Sequence, residues 1–231
     1  LQHIMKELIK YNKLIWIGSL GLRKPKFSIL DLKRIFEKVK NIFVKKEVAI
    51  LDQNITILHP FVLPFHNISF VRNINKNKTV TEINNALSKL GKDKPIIVTS
   101  QPIVGDVIGE IGDTSAHYFC LDDYTQFDGA YKIIEQLEKE LLEKSDTCFS
   151  VSEILVKTRV PKTGRSYFLP QGVNIDHFKY AEPSINNTPI IGFFGLVSEW
   201  IDINLIIKAA KKYPNYKFEI IGRHSVSVDP L

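Results

Sequence analysis

Asp122 and Asp123, followed by Tyr124, stand immediately after the apolar run HYFCL at residues 117–121. A carboxylate just past a strand can orient a substrate hydroxyl or steady positive charge that develops in a transition state. Neighbouring residues of an extended chain point to opposite sides, so one carboxylate enters a cleft while the other hydrogen-bonds the following turn. Asp122 is the one expected in the cleft. The alternative, in which both act only as turn and cap residues, stays open at this point. His3 falls in the first turn of an N-terminal helix, where free amides and the helix dipole attract anions, or where a histidine simply faces solvent. Gly195 and Gly222 each follow an apolar run, and a glycine there lets backbone approach a phosphate or merely relieves a steric conflict. Arg223 can pair with a diphosphate. His59, His66, His117, His177 and His224 have no partners at ligand spacing and read as structural.

The elements that must position these groups follow from periodicity. Residues 1–12 read as a helix with Ile4, Leu8 and Ile9 on one face, and the KLIWIG run at 13–18 as a short buried strand. The spacing of Leu32, Ile35, Phe36 and Val39 predicts a helix over 28–40, and the β-branched residues and prolines of 47–65 predict short strands with an irregular turn. Helices over 80–90 and 104–111 then alternate with strands over 95–100 and 117–121. Asp128 is the expected N-cap of a helix reaching about 144, with a Glu140 to Lys144 pair at i,i+4, followed by strands at 147–151 and 167–169. A polar, proline-containing stretch at 181–189 reads as a linker. Beyond it, a strand at 190–194, a helix at 198–213 and a strand at 217–221 start a second unit. Such alternation predicts an α/β fold of Rossmann-like parallel sheets, with a domain over 1–180 and part of a second over 181–231.

Composition narrows the function classes. Of 231 residues, 44% are hydrophobic and 24% charged, which is ordinary for a folded protein. No apolar run reaches the roughly 20 residues of a membrane span, so a cytoplasmic chain is expected. The net charge of +6 is compatible with phosphate-bearing ligands or a peripheral contact with an anionic inner membrane face. The cations are scattered and no basic helix or stacking platform is present, so nucleic acid is not an expected partner. Cys120 and Cys148 sit in apolar runs and read as reduced core residues. No Cys/His metal spacing, dinucleotide fingerprint, phosphate loop or serine-hydrolase elbow occurs.

Several segments, in order, resemble family 4 glycosyltransferases of GT-B fold, in particular the bacterial branch that makes cell-envelope polysaccharides of the teichuronic-acid type. LQHIM at 1–5 resembles the end of a motif in which Arg-x-Gln-His opens the first helix. YFCLDDYTQF at 118–127 is similar to the family's strand, paired aspartates and aromatic. LPQGVNIDHF at 169–178 resembles the domain-junction motif LPNGVD-x-x-x-F, and IGFFGLVSEW at 191–200 with FEIIG at 218–222 resembles the opening of the donor domain. The resemblance implies two Rossmann-like domains closing on an NDP-sugar. The sugar passes to a saccharide or lipid-linked acceptor with retention at the anomeric carbon, and with no cofactor or obligatory metal ion. It places Asp122, Asp123 and His3 as catalytic candidates and Gly195, Ser198, Trp200, Gly222 and Arg223 as donor-binding candidates. Leu196 and Trp200 depart from the pattern, because most of the family carries basic residues in that neighbourhood to hold the diphosphate. A non-catalytic scaffold of the same fold, a sugar-nucleotide epimerase and a receiver domain are the other readings. Residues 1–12 lack a starter methionine and a preceding strand, and the second unit is only begun. We therefore expect the natural protein to extend in both directions and the 231-residue piece alone to have little or no activity.

Overall fold

In the computed structural model, residues 2–18, 20, 50–52, 54–91, 94–126, 133–178 and 189–226 are described. They fall into two units, Leu1–Gly172 and Val173–Leu231. The helix expected over 28–40, the Asp128 cap and nearly all of the 181–189 linker lie outside the described residues.

The first unit opens with helix α1 (Gln2–Leu8) and strand β1 (Leu14–Ile17). Strand β3 (Ile55–Leu58) runs parallel to β1 and antiparallel to the short β2 (Ile50–Asp52), giving the order β1-β3-β2. Helix α2 (Ser69–Leu90) follows and ends where Gly91 takes a left-handed conformation (φ 62°), with its N–H closing on the Ser88 carbonyl. The sequence places this helix only over 80–90. Its earlier half escapes the apolar pattern because the inward positions there are polar: Asn75 and Thr79 are buried, and the Asn75 amide exchanges 2.9 Å hydrogen bonds with both the N–H and the C=O of Leu63. A buried amide that satisfies a loop in this way packs as well as a leucine but leaves no hydrophobic signature.

Four strands then form a wholly parallel sheet in the order β4 (Ile96–Thr99), β5 (Ser115–Cys120), β6 (Thr147–Ser150), β7 (Ser166–Phe168). Between β4 and β5 the helix expected over 104–111 is replaced by a single 3₁₀ turn, Pro102–Asp106. Gly109 (φ 85°) and Gly112 (φ 70°) take conformations that an α-helix cannot contain. Helix α3 (Ile134–Lys144) joins β5 to β6 and buries Ile134, Leu137, Glu138 and Leu141. It packs on the 3₁₀ turn, where a Cβ on Gly105 would stand 3.1 Å from the Leu141 Cα. The expected Glu140 to Lys144 pair is not made. Glu140 and Asp106 both take Arg72 of α2, with Nε to Asp106 Oδ2 at 2.7 Å, and Lys144 donates to the Gly105 carbonyl at 2.7 Å. Cross-element partners thereby lock α2, the turn and α3 together, which an exposed pair within one helix would not do. The Arg72 hydrogen bond holds the Glu140 carboxyl below its usual range.

Helix α4 (Glu153–Thr158), capped by the Ser152 hydroxyl, leads from β6 to β7. Tyr118, Cys120, Cys148 and Ser150 are completely buried, and both cysteines are free thiols. On the alternate positions Phe119, Phe149 and Tyr167 form an aromatic ladder across three strands, with centroids 4.9 and 5.7 Å apart.

The second unit contains a parallel pair, β8 (Ile190–Phe194) and β9 (Lys217–Ile221), joined through α5 (Ile203–Lys212). The helix starts at Ile203 and not at 198, because Asp202 caps it by accepting from the Leu205 N–H at 3.0 Å. Among the described residues no helix is long and apolar enough to cross a membrane.

Candidate functional site

The loop leaving β5 holds the two carboxylates at the C-terminal edge of the parallel sheet, and the two are treated differently. Asp123 turns back into the protein. Its Oδ1 accepts from the Thr125 hydroxyl (2.6 Å), the Thr125 amide (3.1 Å) and Arg159 Nη2 (2.9 Å). Burial alone would raise its carboxyl, but the two Thr125 hydrogen bonds and the Arg159 charge outweigh that and hold it below the usual carboxylate range. Asp122 makes no side-chain hydrogen bond or ion pair among the described residues, and desolvation pushes its carboxyl up. The neighbouring Tyr124 hydroxyl donates to the Ser100 carbonyl at 2.7 Å and so fastens the loop to the end of β4. Burial, followed by the Asp122 charge, pushes the Tyr124 phenol up to about 12.

Beneath the loop lies a network that sequence reasoning did not find. Glu138 on α3, only 4% exposed, accepts from the Tyr118 hydroxyl at 2.7 Å and from Arg159 Nε at 3.1 Å. Arg159 follows the last turn of α4, held by its own N–H on the Leu155 carbonyl (2.8 Å), so its fork spans the buried Glu138 and the half-buried Asp123. Desolvation would weaken the guanidinium charge, but these two carboxylates more than restore it. Burial raises the Tyr118 phenol far above its ordinary value and the Cys120 thiol to about 12, so both stay neutral. Glu138 carries a legible signal, a carboxylate among residues 134, 137 and 141 of an otherwise apolar stripe. Arg159 carries none, because the six-residue α4 that aims it is too short for a period to show.

His3 is exposed in the first turn of α1, and no hydrogen bond or ion pair among the described residues links it to the carboxylate loop.

In the second unit the turns after β8 and β9 lie against each other. Gly195 N–H donates to the Ile221 carbonyl, Val197 N–H to that of Arg223, and Ser225 N–H to that of Val197, all at 2.9 Å. A Cβ on Gly222, whose φ is 147°, would sit 1.9 Å from the Gly195 oxygen. The room made by Gly222 is therefore filled by the protein's own backbone. Gly222→Ala is expected to cost about 2 kcal/mol or more from the clash and the left-handed backbone together. Limited proteolysis should then cut the variant within 189–226 before it cuts 1–172. Ser198 is buried and shares a 2.7 Å hydrogen bond with the Ser225 hydroxyl, while Trp200 is 56% exposed. Asp202 already occupies the N-terminus of α5, so an anion gains little there. Arg223 is exposed past β9, with no side-chain partner among the described residues.

No group of three His, Cys, Asp or Glu side chains among the described residues is placed to hold a metal ion. A scan against models of protein families finds none that matches the chain, and a search of curated proteins finds no match. The fold and the loop together define an α/β protein with a four-strand parallel sheet, compatible with a Rossmann-like fold and bearing an unshared carboxylate past β5.

Proposed function

We propose that the protein is an NDP-sugar-dependent glycosyltransferase of GT-B type that acts on a saccharide or lipid-linked acceptor of the cell envelope. The observation that carries this reading is the division of labour in the carboxylate loop. Arg159 and Thr125 fix Asp123, and Asp123 in turn fixes the loop, while Asp122 is left uncommitted at the strand end where open parallel sheets bind ligands. An ionised Asp122 is suited to orient an acceptor hydroxyl or to steady a positively charged, oxocarbenium-like centre. In the second unit Arg223, exposed and without a side-chain partner among the described residues, is suited to meet a diphosphate, while Asp202 takes the helix terminus.

The filled glycine turns and the capped helix favour a second reading, a non-catalytic scaffold of the same fold. Thermal unfolding of the protein with UDP, GDP and their sugars separates the two, because a ligand that binds the native state raises the midpoint by mass action. A selective rise with one nucleotide, together with sugar transfer, supports the enzyme. No shift and no transfer from any donor would leave the scaffold. For the enzyme, Arg223→Ala is expected to weaken nucleotide binding by about tenfold or more, as loss of one charge-assisted hydrogen bond does.

A further inference from the structure

Gln101, half-buried and two residues past β4, has all but one of its hydrogen-bonding groups committed. Its N–H donates to the Thr99 hydroxyl at 3.0 Å, and its carbonyl accepts from the Val104 N–H at 3.1 Å. Pro102 follows, and a residue before proline is held extended; Gln101 accordingly has φ −117° and ψ 123°. On the side chain, Oε1 accepts from the N–H of the buried Leu20 at 3.2 Å. Only the carbonyl end of an amide can meet an N–H, so this bond also fixes which way the group is turned. What remains is Nε2, two N–H donors without a partner among the described residues.

This donor adjoins the carboxylate loop. Thr99 and Tyr118 are register partners in β4 and β5, and the Tyr124 hydroxyl bonds the carbonyl of Ser100, the residue immediately before Gln101. Asp122 and Gln101 therefore belong to neighbouring loops of one sheet edge, the first offering an acceptor and the second a donor. A carboxylate oxygen and an amide N–H together match adjoining hydroxyls, one of which donates while the other accepts. They do not match an anion. Arg159, the guanidinium beneath the loop, is spent on Glu138 and Asp123, so a phosphate or carboxylate brought to Asp122 meets like charge without compensation.

We propose that Gln101 sets acceptor specificity: its amide donates to an oxygen next to the hydroxyl that Asp122 orients, so the acceptor unit held at this edge is a neutral sugar with adjoining hydroxyls and not a uronate or a sugar phosphate. The inference rests on the glycosyltransferase reading and names the acceptor class for it. A site that hydrogen-bonds a hydroxyl rejects the analogue lacking it, because the protein's own polar group is then left unpaired.

The test is titration of the protein with methyl glycosides of the common hexoses, each beside its methyl uronide and its monodeoxy analogues, read as affinity and as movement of the Gln101 side-chain N–H resonances. One neutral glycoside is expected to move those resonances and to bind about tenfold or more tightly than its uronide and than one of its deoxy forms. Two variants isolate the donor. Gln101→Glu keeps an oxygen for Leu20, and Gln101→Met keeps the side chain uncharged, so the loss common to both is the N–H pair. Both are expected to weaken the neutral glycoside about tenfold and to erase the discrimination against the deoxy form. A loss in Gln101→Glu alone would assign the effect to charge, and a loss in Gln101→Met alone to the Leu20 bond; either overturns the proposal. A uronide that binds as tightly as the glycoside overturns it as well. So does the absence of any glycoside binding: if nucleotide sugars still bind, this inference alone falls, and if they do not, the transferase reading falls with it.

Discussion

Arg159→Ala is expected to lower the unfolding free energy by about 3–5 kcal/mol, the usual consequence of removing one partner of a buried ion pair. The guanidinium spans Glu138, whose side chain is 5% exposed, and Asp123, whose side chain is 35% exposed, so the two halves of the loss are unequal. The Asp123 half contributes little by itself, because solvent screens that pair. The Glu138 half dominates, since the truncation leaves a buried carboxylate with only the Tyr118 hydroxyl and the Cys120 thiol beside it. For a protein of this size the midpoint should fall by on the order of 10 °C. A double-mutant cycle with Glu138→Gln isolates the pair, and the two changes together should cost clearly less than the sum of the singles. Additive losses would show that Arg159 acts by packing its stem and not by its charge. The Asp123 contribution also has a defined pH window. Its folded-state value is lowered, so its stabilisation is present above the ordinary carboxylate range and is lost as pH falls through the lowered value.

The parts of this molecule that could be read from sequence are those where apolar pattern and backbone punctuation coincide. Strands β8 and β9 occupy the residues the pattern assigns, because Pro189 and Gly195 bound one and Gly222 closes the other. The run DD after HYFCL likewise marks a strand end, and Asp123 bonds the following turn, as expected of one of the two, while Asp122 makes no side-chain bond among the described residues. What escaped reading depends on polar groups that are satisfied only at long range. The first half of α2 is held by Asn75 on Leu63 twelve residues away, and Arg72 reaches Asp106 and Glu140 across 34 and 68 residues. Arg159 reaches Asp123 across 36. No local period encodes such pairings. The expected Glu140 to Lys144 pair shows the complementary error, in which local spacing nominated a contact and two distant partners, Arg72 and the Gly105 carbonyl, took both side chains instead.

Asp122→Asn should separate catalysis from folding more cleanly than any other single change. On the proposed glycosyltransferase reading it is expected to lower sugar transfer by about a hundredfold or more, the span associated with a positioned carboxyl group. The fold should not suffer. Desolvation raises the Asp122 carboxyl in the folded state, so its ionised form costs stability. A group raised in this way favours folding most at low pH and loses that contribution as pH rises through the folded-state value. Removing the charge is therefore expected to leave the midpoint at neutral pH unchanged or slightly higher. The same displacement predicts the shape of the pH–rate profile. If the ionised carboxylate orients the acceptor hydroxyl or steadies the developing positive charge, the acid limb of transfer should lie above the ordinary carboxylate range and should vanish in the variant. Asp123→Asn supplies the contrast, since it weakens the Arg159 tether, and its loss of transfer should come with a lower midpoint and a retained acid limb. Full transfer by Asp122→Asn would move the chemistry away from the β5 loop, and with it the observation on which the enzymatic reading stands.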